Sequence, residues 1–187
     1  MYTANTMSSA IEAMGMALPY NSSNPAISRD KLNEKETISK SIINLIKKDI
    51  KPSDIITKKS IENAVRLITL LGGSTNAVLH ILAICKTANI DFNIDDFQKI
   101  SEETPFLANL KPSGKYLMED LHNIGGIPAV MKFMLQNNML HNDCMTVTGK
   151  TIEENLKTIE SINFDQDIIR PLDLSLIHIS EPTRQVL

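Results

Sequence analysis

The chain has 187 residues, a formal net charge of -3 and a pI near 5.8, with 42% hydrophobic and 22% charged residues, which is the length and composition of one folded domain able to bury a sizeable core. Interspersed, slightly acidic charge excludes the concentrated basic field that a nucleic-acid surface needs, and the pairs Lys47-Lys48 and Lys58-Lys59 read as solvated helix faces. No apolar run approaches the roughly 20 residues needed to cross a bilayer, the best candidate being 77–85 with His80 inside it, and no leader pattern precedes the first helix, so no membrane span and a cytoplasmic or organelle-matrix setting are expected.

Helix signals dominate in chain order. Ile11, Met14 and Leu18 mark one buried helical face behind a small, hydroxylated run (Thr3, Ala4, Asn5, Thr6, Ser8, Ser9) that suits a helix start pressed against a cofactor. Pro19 and Pro25 enclose a polar loop. Asn33 with Glu36 then predicts the N-cap of a helix carrying Ile38, Ile42, Leu45 and Ile46, which Pro52 terminates. Thr57 caps the next helix, with Ile61, Ala64, Val65 and Ile68 on one face and Gly72-Gly73 at its end. Ser74 is expected to cap a helix over 75–88, apolar almost all round and therefore read as the core element.

Asn93 with Asp96 starts a short helix bearing Phe97 and Ile100, and Thr104-Pro105 stops it before an extended segment, 106–110. A further short helix is predicted over 115–124. Gly125-Gly126 breaks it, and Pro128 sits in the first turn of a helix through Met131, Met134 and Leu135 that ends near Asn137-Asn138. Thr146-Val147-Thr148 alternates like a short strand, Gly149 turns the chain, and Thr151 with Glu154 forms a capping box for a helix to about Thr158. Cys85 and Cys144 lie far apart without CxxC spacing and read as free, buried thiols.

The run MYTANTMSSAIEAMG at 1–15 resembles the dihydroxy-acid dehydratase family, in which Cys-Gly-Gly-Met-Tyr-Thr-Ala-Asn-Thr-Met contains the third iron–sulfur cysteine. LLGGSTNAVLHILAI (70–84), PFLANLKPSGKYLMEDLHNIGGIPAVMKFML (105–135), DCMTVTGKTIEEN (143–155) and QDIIRPLD (166–173) resemble successive family blocks in the family's order. The resemblance implies an α/β fold, this chain being a predominantly helical, internal piece of the N-terminal three-layer α/β domain over residues 1–173. It stops at Asp173. Residues 174–187 (LSLIHISEPTRQVL) resemble a translated adapter, so His178, Glu181 and Arg184 are excluded from any site.

The family resemblance also implies an activity: a hydro-lyase that removes water from a 2,3-dihydroxy carboxylate to give a 2-keto acid for valine, leucine and isoleucine biosynthesis. It implies an iron–sulfur cluster, 2Fe-2S or 4Fe-4S, as Lewis acid for the departing hydroxyl, Mg²⁺ as clamp on the carboxylate, and a homodimer. The family's cluster cysteines, magnesium ligands and serine base fall outside the segments matched here, so no catalytic residue or metal ligand is carried over and the isolated chain is expected to be inactive. What remains is a supporting wall. Tyr2, Thr3, Asn5 and Thr6 fall within hydrogen-bonding reach of the cluster's surroundings, with helix capping as the plain alternative for Thr3 or Asn5. Ser74, Thr75 and Asn76 follow a glycine turn at a helix start, where backbone N–H groups favour a substrate carboxylate, and His80 lies one turn on. Ser113 or Lys115 can face a bound acid. Glu119, Asp120, His122, His141 and Asp143 read as structural or surface groups. Two rivals stand beside this reading: a sugar-acid dehydratase, and a non-enzymatic helical interaction module.

Overall fold

The computed structural model describes residues 5–174, and within them the chain is almost entirely helical. Tyr2, Thr3 and the tail beyond Leu174 lie outside the described residues. The sheet of a three-layer α/β arrangement is not seen among those described: pairing there is confined to the isolated bridges Ala108 with Ile169, Leu110 with Tyr116, and Met145 with Thr151.

Helix α1, Thr6–Ala13, buries Ala10 and Ala13 and ends at Gly15, whose φ of +87° and place 2.7 Å (from a notional Cβ) off the Met145 carbonyl admit no side chain. A loop through Tyr20 and Ser22 leads to α2, Arg29–Lys47. Its N-cap is Ser28, whose hydroxyl accepts from the Lys31 N–H at 3.1 Å; Asn33 and Glu36 lie inside the helix, correcting the expected start. No residue of α2 is buried. It is moored instead by polar contacts: Glu34 accepts from Asn21 and Asn24, and Asn44 and Lys48 donate to the carbonyls of Thr148 and Gly149.

Pro52 opens α3, Pro52–Ile55, where the Lys51 N–H donates to Asp54. Thr57 then caps α4, Lys58–Leu71, as its spacing predicts. This helix is the centre of the molecule. Leu67, Leu70 and Leu71 enter one apolar cluster with α8, Gly126–Gln136, while Ile61, Ala64, Val65 and Ile68 enter a second with α1, α5, Asn76–Thr87, and α6, Ile94–Glu103. Gly72 ends α4 in the left-handed region, φ +70°, with the Phe106 ring 2.3 Å from where a Cβ would sit.

Helix α5 is not the core element that its composition suggests. Only Ala77, Ile81 and Cys85 of it are buried, and Leu79 is 71% exposed. The helix begins after Thr75, whose side chain makes no cap bond, and the Ser74 hydroxyl accepts from its first N–H. Helix α6 begins as predicted, with Asn93 accepting from the N–H groups of Asp95 and Asp96. The extended segment 106–110 follows. There Asn109 N–H donates to Ile168 O at 2.8 Å and Arg170 N–H to Leu107 O at 3.0 Å. Helix α7, Met118–Asn123, starts three residues later than expected, its first turn closed by Leu117 N–H donating to Asp120 at 2.7 Å.

Residues 146–148 form a turn, not a strand: Thr146 Oγ1 donates to Lys150 O and accepts from Asn155 Nδ2, so its hydroxyl serves local chain reversal. Thr151 caps α9, Ile152–Leu156, which ends a little before the expected Thr158.

Candidate functional site

The two stretches singled out for cofactor and substrate, 68 residues apart, meet. The Ser74 N–H donates to Thr6 Oγ1 at 2.9 Å, and a Cβ on Gly73 would lie 2.7 Å from Thr6 Cγ2. The N-termini of α1 and α5 are thereby locked edge to edge. Thr6 is buried in this contact, whereas Asn5, Thr75 and Asn76 are exposed around it and Ser74 is half-buried.

Asn5 is the α1 N-cap, in the left-handed region at φ 43°, but its side chain does not cap the helix. It donates instead to Ser22 O at 3.1 Å. Ser74 Oγ accepts from the Asn76 N–H at 3.3 Å. The N–H groups of Gly72 and Gly73 turn back to Thr69 O and Ile68 O. The glycine turn therefore spends these donors within the fold. What it offers a ligand is the Thr75 hydroxyl and the Asn76 amide, a set that orients hydroxyls and carboxylates by hydrogen bonding and holds no base for a carbon-bound proton.

His80 stands one turn beyond Asn76 on the same face. It lines a groove of about 850 Å³ with Met7 of α1, Ile56, Ala83, Ile84 and Thr87. Ser113 and Lys115 are exposed in a turn that folds on Asn109, to which the Lys115 N–H donates. Asp120 is the α7 capping acid. His122 Nδ1 lies 3.4 Å from Ser23 Oγ, His141 pairs with Glu62 at 2.6 Å, and Asp143 pairs with Lys59 at 2.5 Å.

A buried acid stands outside the motifs of the sequence. Glu12, 4% exposed in the last turn of α1, accepts from Tyr20 N–H at 2.8 Å, from Ser22 N–H at 2.9 Å and from the Ser22 hydroxyl. Burial pushes its carboxyl up to about 7 against these three donors. The available signal was that Glu12 is the first acid of the chain, set in an apolar helix, with the next at Asp30.

The described residues do not fit a metal or cluster as ligands. No group of three or more His, Cys, Asp or Glu among them can hold an ion. Cys85 and Cys144 are buried in separate clusters, and burial drives the Cys144 thiol up to about 11, away from the thiolate that iron binds. No helix among the described residues is long and apolar enough to cross a membrane.

Comparison with known proteins defines the class. A model of the dihydroxy-acid/6-phosphogluconate dehydratase N-terminal region matches residues 1–155. The chain belongs to that family. It is 58% identical to the dihydroxy-acid dehydratase of Lactococcus lactis subsp. cremoris (strain SK11) over 92% of its own length and 30% of the relative's. It is likewise 58% identical to that of Flavobacterium psychrophilum, over 94% and 32%, and 56% identical to the chloroplastic dihydroxy-acid dehydratase of Arabidopsis thaliana, over 92% and 28%. The chain thus spans about 30% of the length of the curated relatives it matches.

Proposed function

We propose that this chain forms one wall of the active site of a dihydroxy-acid dehydratase, which removes water from 2,3-dihydroxy-3-methyl carboxylates to give 2-keto acids in branched-chain amino-acid biosynthesis. The observation that carries this reading is the Thr6–Ser74 junction, which draws two family blocks distant in sequence into one polar rim. The relatives, all dihydroxy-acid dehydratases, favour this chemistry over a sugar-acid substrate. Membership of the family and this convergence also set aside the helical interaction module.

On this reading the iron–sulfur cluster and Mg²⁺ are held by residues outside this chain, as is the base, and residues 1–173 are part of a three-layer α/β domain to which 174–187 do not belong. The chain's own residues do the orienting. Thr75 and Asn76 hydrogen-bond the substrate's hydroxyl and carboxylate groups, Ser74 keeps the turn closed, and Asn5 and Thr6 fix the α1 terminus beside the cluster. His80 borders the site from the groove. Hydrogen bonds of this kind position a reactant so that its leaving hydroxyl and acidic proton meet fixed partners.

The test is a chimera in which residues 1–173 replace the matching segment of the Lactococcus enzyme. It is expected to dehydrate 2,3-dihydroxyisovalerate and not gluconate. Thr75→Val with Asn76→Ala is expected to raise KM about tenfold or more, the loss of one or two hydrogen bonds to a charged group. Preference for gluconate, or an unchanged KM in the double variant, would contradict the assignment.

A further inference from the structure

Glu12 neither faces the groove nor joins the rim, yet it is the acidic side chain buried most deeply among the described residues. Its carboxylate grips Ser22 through both the N–H and the hydroxyl, while the carbonyl of the same Ser22 accepts from Asn5 at the opposite end of α1. Ser22 is thus held on three atoms by the two ends of one helix. Asn5 leads directly into Thr6, and Thr6 Oγ1 accepts from Ser74. A continuous path, hydrogen-bonded except at the Asn5–Thr6 peptide bond, runs from Glu12 through Ser22, Asn5 and Thr6 to the turn that opens α5.

We propose that Glu12 is a positioning residue for the candidate site, its carboxylate setting the place of the α1 N-terminus and, through Thr6, of Ser74, Thr75 and Asn76. This role rests on the reading of Asn5, Thr6 and 74–76 as the substrate wall. The geometry favours it over simple loop anchoring because Asn5 gives up the capping bond expected of an N-cap asparagine in order to hold Ser22. Beside Glu12 lies a cavity of about 20 Å³, lined also by Thr146 and Asn155, with room for about one water as a further donor.

The charged and titratable groups around Glu12 are few. Glu34 of α2 faces it and is itself paired with Lys31 at 3.0 Å. Tyr20 donates its N–H to Glu12; its ring meets His122 of α7 edge-on at 6.3 Å, and its hydroxyl feels Glu160 beyond α9.

The test is an NMR titration of the 187-residue chain. The backbone amide signals of Thr6 and Ser74 are expected to move with a midpoint near 7, together with that of Ser22 and the Glu12 carboxyl carbon, while those of Lys99 and Ile100 in α6 stay still. Glu12→Gln removes the movement at all three amides; His122→Gln leaves it in place. Should Glu12→Gln fail to fold, the unaltered chain still decides. Ser22 titrating while Thr6 and Ser74 remain flat overturns the positioning role, as does a Ser74 response that His122→Gln abolishes. Failure of the chimera to engage dihydroxy acid with the Ser74 titration intact would sink the site reading alone.

Discussion

A carboxyl buried beside two backbone donors and a hydroxyl should make stability depend on pH, and Glu12 gives that dependence a sign. Its folded pKa, about 7, lies above the ordinary 4.5, so the native state holds the proton more tightly. The contribution is fully present below the ordinary value and lost as pH rises through about 7, on the order of 3 kcal/mol in all. Urea denaturation of the chain and of Glu12→Gln over a pH series is expected to show the excess slope in the former alone; parallel curves would refute it. The pair Lys59–Asp143 behaves oppositely. Lys59 holds the Asp143 carboxyl below its usual range, yet both groups are solvent-exposed, and Lys59→Met is expected to leave the denaturation midpoint within experimental error.

Caps decide where the helices begin, and they can be tested one residue at a time. Ser28→Ala should destabilise the first turn of α2 by about 1 kcal/mol, seen as faster amide exchange at Lys31, whereas Asn33→Ala should not. Equal effects would restore the start expected from the Asn33-Glu36 spacing. Gly72→Ala meets both a positive φ and the Phe106 ring, and should cost about 1–3 kcal/mol by denaturation. The starts at Thr57, Asn93 and Thr151 were legible because a cap and the backbone N–H that donates to it lie within one turn of sequence. The α2 start was not, since Ser28 and Asn33 both carry capping side chains and only the loop anchored by Asn21 and Asn24 on Glu34 selects between them. Thr146 to Thr148 alternate like a strand but spend their hydroxyls on a turn. The candidate site was legible as two separate runs. Their junction, Thr6 with Ser74, and the Glu12 grip on Ser22 are tertiary, beyond any local period.

At the scale of the molecule, α4 joins two apolar clusters while α2 and α5 turn apolar side chains outward. Leu79 is 71% exposed, Ile46 74% and Ile43 54%. The structure covers α8, through Ile127, Val130 and Met134, and leaves α5 open. The chain should therefore bind an apolar dye, and Leu79→Lys with Ile46→Lys should reduce that binding while the denaturation midpoint stays within about 0.5 kcal/mol. Undiminished dye binding would place the open surface elsewhere. On the proposed reading this chain orients a dihydroxy acid without holding the metals that dehydrate it. The most direct test is reconstitution of the purified 187-residue chain with iron, sulfide and Mg²⁺, followed by assay on 2,3-dihydroxyisovalerate. The account predicts no protein-bound cluster absorbance and no keto acid; a stoichiometric cluster with turnover would contradict it.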